Sequence, residues 1–323
     1  MRNKDVLVAA LIAVLIPFAP ALAQSVFPSK PIRLVVPFAP GGPADALGRI
    51  VGTDLAAALG QQVIIDNKPG AGGALGAEFV AKAEPDGHTL LMSNVGDTIA
   101  VSLHKSLPYD YVKQFAPVSL VASSPFLVVV HPSVPANSLA DLVKLAKAKP
   151  GGLSFGSAGI GVASHLAGEL FNQMADTRIL HVPYKGQAPA TTDLLGGQIT
   201  MMFNNPLTSL PHMQTGKLRA LAVTSAKRLG AAPNVPTVAE SGVPGFDVGT
   251  WFAIVAPAGT PAPAITRLSS EIARGLQSRE TREKLAAQGV EPVGSTPAEL
   301  GRLIQNDVAK WAEVVRRGGI KAE

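Results

Sequence analysis

A pair of matching turns constrains this chain more than any other feature. Residues 32–36 form an apolar, β-type run that passes through Pro37, Phe38, Ala39, Pro40, Gly41 and Gly42 into a helical pattern at Pro43. Residues 153–156 do the same through Ser157, Ala158, Gly159, Ile160 and Gly161. A strand that turns through glycine into a helix presents free backbone N–H groups and the positive end of a helix dipole, a combination that favours an anion. One such turn is a weak signal. Two of them, roughly 120 residues apart, point to an anion gripped from both sides of a cleft.

Strand and helix patterns alternate around these turns. A helix is expected over 44–59, where Leu47, Ile50, Val51, Leu55 and Leu59 keep near-helical spacing and Gly60 serves as C-cap. Strands at 62–66 and 89–93 flank a turn at 70–73 and a helix at 74–83. Such a β-α-β-α-β run calls for parallel strands with right-handed crossovers. Extended stretches at 117–130 and 246–256 read as crossovers to and from a second unit. That unit begins with a helix at 138–149, with Ser138 as N-cap and Asp141 three residues on. Strands at 154–156, 179–182, 199–203 and 220–223 alternate with helices reaching Phe171 and covering 189–195 and 207–215. Helices at 262–277, 282–288 and 297–317 close the chain. The expected fold class is α/β with two lobes, each a mostly parallel sheet flanked by helices, joined by two crossover segments. Lobe 1 takes residues 24–122 and 250–323, and lobe 2 takes 123–249. The hinge is expected near 121–124 and 248–251.

The N-terminus reads as a secretory leader. Arg2 and Lys4 precede an apolar run from Val6 to Phe18, and Ala21-Leu22-Ala23 is an A-x-A cleavage site, so the mature chain starts at Gln24. A membrane anchor is the alternative, but the run is short of the ~20 residues a span needs. The protein is therefore expected to be exported to a periplasm. There is no cysteine, which excludes a disulfide framework, a thiolate metal site and a Cys nucleophile. Net charge is +5, falling to +4 without the leader, and the basic residues are scattered. This argues against a nucleic-acid surface and for anionic small molecules.

Catalytic and cofactor motifs are missing. No Walker A sequence is present, and Phe155 stands where a Gly-x-Ser-x-Gly elbow needs glycine. No histidine pair has zinc-ligand spacing. Gly70-Ala71-Gly72-Gly73 follows a strand, but its spacing departs from the dinucleotide fingerprint and no acidic residue ends the next strand. No cofactor and no metal are expected. Ala39, Gly41 and Gly42 are the candidate N–H donors of the first turn. Asp45, in its first helical turn, reads first as a helix cap and second as a ligand contact. His165 either approaches a ligand or packs on the sheet. Tyr184 and Gly186 end one strand, Asn204 another, and all three are candidates to line the cleft. Trp251 is a cleft wall or a core residue.

Several blocks in order resemble one family. They are residues 31–42 with Asp45, residues 63–73, Gly156-Ser157-Ala158-Gly159 with residues 165–169, and residues 182–186. Residues 216–224 and Pro236-Thr237 with residues 240–242 complete the set. The chain is similar over its whole mature length to the periplasmic solute receptors of tripartite tricarboxylate transporters, the Bug receptors. That resemblance implies a two-lobed type II periplasmic binding fold that closes on a small carboxylate, with membrane transporter subunits as partners and the receptor a monomer. It implies a ligand site of Phe38, Ala39, Pro40, Gly41, Gly42 and Asp45 on one side. On the other stand Ser157, Ala158, Gly159, Gly161, Val162 and Ala163; Asn94, Tyr184, Gly186, Asn204 and Trp251 are the further candidates expected around them from their own places in the chain. Two departures bear on the ligand. The family usually has Thr or Ser after Gly161, where this chain has Val162 and Ala163, and commonly has Asp where this chain has Asn204. Both favour a mono- or dicarboxylate with an apolar portion over a cationic amino acid. A ligand sensor for a signalling partner would share every one of these residues. An exported enzyme would need a nucleophile–base or metal constellation, which the sequence lacks.

Overall fold

The computed structural model describes residues 27–103 and 106–318, so the leader at 1–23 lies outside the described residues. The first sheet begins as the pattern predicts. Strand β1 (Ile32–Val36) is joined by helix α1 (Pro43–Leu59) to β2 (Val63–Asn67), and helix α2 (Ala74–Ala81) leads to β3 (Thr89–Asn94). Both β2 and β3 run parallel to β1. Helix α1 opens with Pro43, whose missing N–H costs nothing there, and ends at Gly60 in the left-handed region (φ +65°). Helix α3 (Val95–Leu103) follows β3 without a loop. Sequence pattern alone does not mark this helix, since Gly96, Thr98 and Ile99 are weak helix formers. Asp97 starts the helix by accepting the Asn94 N–H.

The chain then runs through β4 (Phe115–Pro125), passes Phe126 and continues as β5 (Leu127–Val130) in the second sheet. Helix α4 (Leu139–Ala148) opens with the Ser138–Asp141 capping box. Next come β6 (Ser154–Ser157), α5 (Ala163–Ala175), β7 (Leu180–Pro183), α6 (Gln187–Leu195), β8 (Met201–Asn204), α7 (Pro206–Gln214) and β9 (Arg219–Val223). Strand β10 (Gly249–Pro257) returns to the first sheet, followed by α8 (Ala262–Leu276), α9 (Arg279–Ala287), β11 (Glu291–Pro292) and α10 (Pro297–Gly318).

The strand orders are β11-β4-β10-β3-β1-β2 and β7-β6-β8-β5-β9. Both sheets are mixed, a correction to the mostly parallel sheets expected. The connecting strands cause the difference. β4 leaves the first sheet and β10 re-enters it, so they pair antiparallel, from Gly249 opposite Pro125 to Pro257 opposite Phe115. β5 likewise runs antiparallel to both β8 and β9. Leu34, Leu47, Leu90 and Met92 fill the core between α1 and the first sheet, all fully buried. In the second lobe Phe171 and Phe246 pack on Phe203 at ring distances of 5.8 and 6.3 Å. Full burial of each such side chain contributes about 1.5–3 kcal/mol.

Candidate functional site

The first loop rests on a buried carboxylate. Gly41 adopts φ +84° and Gly42 stands at the N-cap of α1 without a side chain to cap it. Asp45, one turn into the helix, does not cap it. Its Oδ2 accepts the Gly41 N–H at 3.0 Å, and its carboxylate takes a forked pair of 3.0 Å bonds from Arg49. Asn67 bridges Asp45 Oδ1 and the Phe38 carbonyl, at 3.1 Å each. Burial pushes the Asp45 carboxyl up, but the hydrogen bonds from Arg49, Gly41 and Asn67 outweigh it and hold the group below its ordinary value.

The second loop rests on neutral rings. Ser157 Oγ donates to the Gly159 carbonyl, accepts the Gly159 N–H, and lies 2.6 Å from His181 Nε2. The Gly161 N–H donates to His165 Nδ1 at 3.1 Å, and the Ala158 N–H to Ser164 Oγ at 3.2 Å. The rings of His165 and His181 stack with centroids 4.0 Å apart. Burial drives His165 down to about 4. Burial, together with its neighbour His165, drives His181 to about 3. At neutral pH both rings are uncharged, which leaves His165 Nδ1 free to accept the Gly161 hydrogen bond. His165 thus packs beneath the loop. Like α1, helix α5 begins without a side-chain cap, at Val162.

The two lobes touch, since the Ala39 N–H of the first loop donates to the Lys185 carbonyl in the turn between β7 and α6 at 3.1 Å. Between the two lobes lies a small cavity of about 40 Å³. Phe38, Gly42, Pro43 and Ala44 line it from the first lobe, and Ala158, Val162, Ala163 and Ser164 from the second. Asn94, Phe126, Gln187, Thr250 and Phe252 complete the wall. No charged side chain lines this cavity. Among the described residues the N–H groups of Gly42, Ala44, Ala163 and Ser164 have no partner. Apolar walls that carry two uncapped helix N-termini suit a small anion with an apolar body, each helix end contributing roughly 0.3–1 kcal/mol.

Of the residues expected at the site, Phe38, Gly42, Asn94, Ala158, Val162 and Ala163 line this cavity. Ala39, Pro40, Gly41, Asp45, Ser157, Gly159, Gly161 and Gly186 do not line it. The N–H groups of Ala39 and Gly41, expected as anion donors, are taken by Lys185 and Asp45. Gly159 (φ +142°) lies so close to Gly72 that an added Cβ would sit 3.1 Å from its Cα, and Gly186 packs against Ala39 in the same way. Three expectations fall elsewhere. Tyr184 donates its hydroxyl to Asp193 at 2.7 Å. Asn204 is fully buried, donating to Thr191 Oγ1 and accepting from Thr208 Oγ1, and does not reach the cavity. Trp251 does not line this cavity. Side chains alternate along β10, so Phe252 faces the cavity while Trp251 faces a larger open groove along the hinge and donates Nε1 to Asp307 at 2.6 Å. That groove lacks converging helix N-termini. Sequence reasoning missed Pro43, Ala44, Phe126, Ser164, Gln187, Thr250 and Phe252. The period-2 alternation around Trp251 was the signal for Phe252.

Residues 47–320 match the profile of the tripartite tricarboxylate transporter family receptor. The chain is 40% identical over 305 residues to protein BugT of Bordetella pertussis, covering 94% of this chain and 93% of that one. Among solved structures, R. palustris Rpa4515 with adipate superposes with a TM-score of 0.89 at 37% identity, covering 91% of this chain and 99% of that one. MatC from Rhodopseudomonas palustris with bound malate gives 0.85 at 34% identity, covering 90% and 100%.

Proposed function

Because this chain belongs to the tripartite tricarboxylate transporter receptor family, we propose that it captures a small organic carboxylate in the periplasm and delivers it to the membrane subunits of such a transporter. One observation carries this reading. Two uncapped helix starts, one from each lobe, converge on an uncharged, largely apolar cavity. A carboxylate would complete the hydrogen bonding of Gly42 and Ala44 at one end of α1, and of Ala163 and Ser164 at α5. Relatives solved with adipate and with malate support a dicarboxylate as the ligand class.

The ligand's charge would be met by backbone N–H groups and neutral side chains rather than by an arginine. The donors within reach are the Ser164 and Thr250 hydroxyls and the Asn94 and Gln187 amides. Phe38, Phe126, Val162 and Phe252 would pack on its carbon chain. With Asn204 sealed inside the second lobe, ligand selection falls to these wall residues.

An enclosed cavity requires an open form through which the ligand enters. A carboxylate that bridges α1 and α5 binds the closed form better than the open one and shifts the population towards it. Calorimetric titration against a panel of mono- and dicarboxylates and amino acids tests the reading, with tight binding expected for a dicarboxylate. Binding of amino acids alone would sink it. Small-angle scattering should show compaction at saturating ligand.

A further inference from the structure

A second, water-sized space of about 10 Å³ lies beside the carboxylate cavity, beyond Val162. The first lobe supplies Ala71, Gly72, Gly96, Asp97 and Tyr109, while the second supplies only Ile160 and Gly161. The space therefore closes only while Ile160 and Gly161 lie against the first lobe, where an added Cβ on Gly72 would strike the Ile160 carbonyl. Asp97 is 3% exposed. Its Oδ2 accepts the Ser93 hydroxyl at 2.7 Å and the Asn94 N–H at 3.1 Å, and the Tyr111 phenol lies 2.5 Å from Ser93. Oδ1 is free of any hydrogen bond among the described residues. The Tyr109 hydroxyl, on a side chain 6% exposed, is buried without a partner at the same space.

Among the described residues no cation offsets this carboxylate. Ser93 and Asn94 act on it from β3, Tyr109 and Tyr111 face it from the segment after α3, and α2 brings Glu78, near enough to act on Tyr109. The second-lobe loop adds backbone alone, with neutral His165 behind Gly161. No charged side chain of α5 or α10 acts on Asp97. Burial accordingly raises its carboxyl to about 6. A lone charge sealed away from water is unfavourable, and a proton removes it.

We propose that Asp97 takes up a proton as the two lobes come together, so that mild acid strengthens lobe closure and ligand capture. In the open form Ile160 and Gly161 no longer cover Asp97, and water returns its carboxyl towards the ordinary 3.8. The closed form thus holds the proton more tightly, and by linkage the proton favours the closed form. The effect is full below the open-form value and is lost as pH rises through about 6. His165 and His181, at about 4 and about 3, stay neutral across this window.

The inference rests on the two-lobe capture proposed above, and the test separates the two. One surface cysteine on each lobe of this cysteine-free chain carries a dye, and energy transfer reports closure without ligand and with subsaturating adipate. The closed-to-open ratio should rise about tenfold from pH 8 to pH 5. Asp97→Asn, a stand-in for the neutral acid, should be more closed at pH 8 and flat with pH. A flat wild-type profile, or the same slope in both proteins, overturns the proposal. A ratio that follows sodium concentration at fixed pH overturns it in favour of a bound cation. Should Asp97→Asn misfold, calorimetry of adipate binding to the wild type at pH 6 in two buffers of different ionisation enthalpy decides. About half a proton should be taken up beyond those adipate carries, and no uptake overturns the proposal. If no carboxylate closes the lobes, the transport reading fails, and the ligand-free pH profile still decides this one.

Discussion

The first loop is held from below by a buried charge with three hydrogen-bonding neighbours, and the second by a stack of two neutral imidazoles. Both leave the start of a helix uncapped, whereas α4, remote from the cavity, has its N-terminus closed by Ser138 and Asp141. An uncapped start forgoes about 1 kcal/mol of helix stability. In α1 and α5 the N–H groups thereby left free border the cavity. The difference between the supports means that acid and mutation act on the two loops separately.

The largest effect is expected where the lobes meet. Gly159→Val forces a branched side chain into φ +142° and against the Gly72 backbone, blocking closure from the second side. Adipate affinity measured by calorimetry should fall roughly hundredfold or more. Gly41→Val, at φ +84° but with its nearest neighbour 3.6 Å away, should cost less. Equal losses would erase the distinction between a strained loop and a closing contact.

Removal of the charged support comes next. Asp45→Ala strands the Gly41 N–H and the Asn67 amide, and thermal or denaturant unfolding should report roughly 2–3 kcal/mol of lost stability. Asp45→Asn, which keeps part of the network, should lose less.

Acid should loosen the second loop before the first. His165 sits at about 4 when folded against 6.5 ordinarily. The unfolded chain therefore takes up a proton that the folded one refuses, and stability falls as pH drops from about 6.5 towards 4. Denaturant unfolding at pH 7 and pH 5 should differ by on the order of 2 kcal/mol from His165. His165→Gln should flatten that slope. Asp45, held below its ordinary 3.8, keeps its contribution through this range and loses it only at lower pH. Loss of both supports at the same pH would break the comparison.

The smallest effect tests the missing cap. Val162 already has the extended backbone of an N-cap (φ −82°, ψ 163°). Val162→Thr should cap α5 and raise stability by about 0.5–1 kcal/mol, while weakening adipate binding by engaging an N–H meant for the ligand.

Much of this was legible in the chain. Apolar spacing placed α1 and β1 to within a residue, the Ser138-x-x-Asp141 signature placed the start of α4, and the glycine turns marked both cavity loops. The mixed sheets were not legible, because strand direction depends on how β4 and β10 pair across more than a hundred residues. Nor was the role of Asp45 or of the histidines. Asp45 finds Asn67, and His165 finds His181, only after the sheets assemble.

By itself the sequence determined most of the elements, the two glycine turns and the family, since period, glycine and capping residues act within a few positions of one another. Tertiary structure decided which N–H groups stay free for a ligand. It took Ala39 and Gly41 out of that set and left Gly42, Ala44, Ala163 and Ser164 in it. It also turned Trp251 away from the cavity, sealed Asn204 in and buried Asp97 beneath a loop of the other lobe. A backbone group's partner, like a carboxylate's access to water, depends on residues brought together from distant parts of the chain, and no local pattern encodes that meeting.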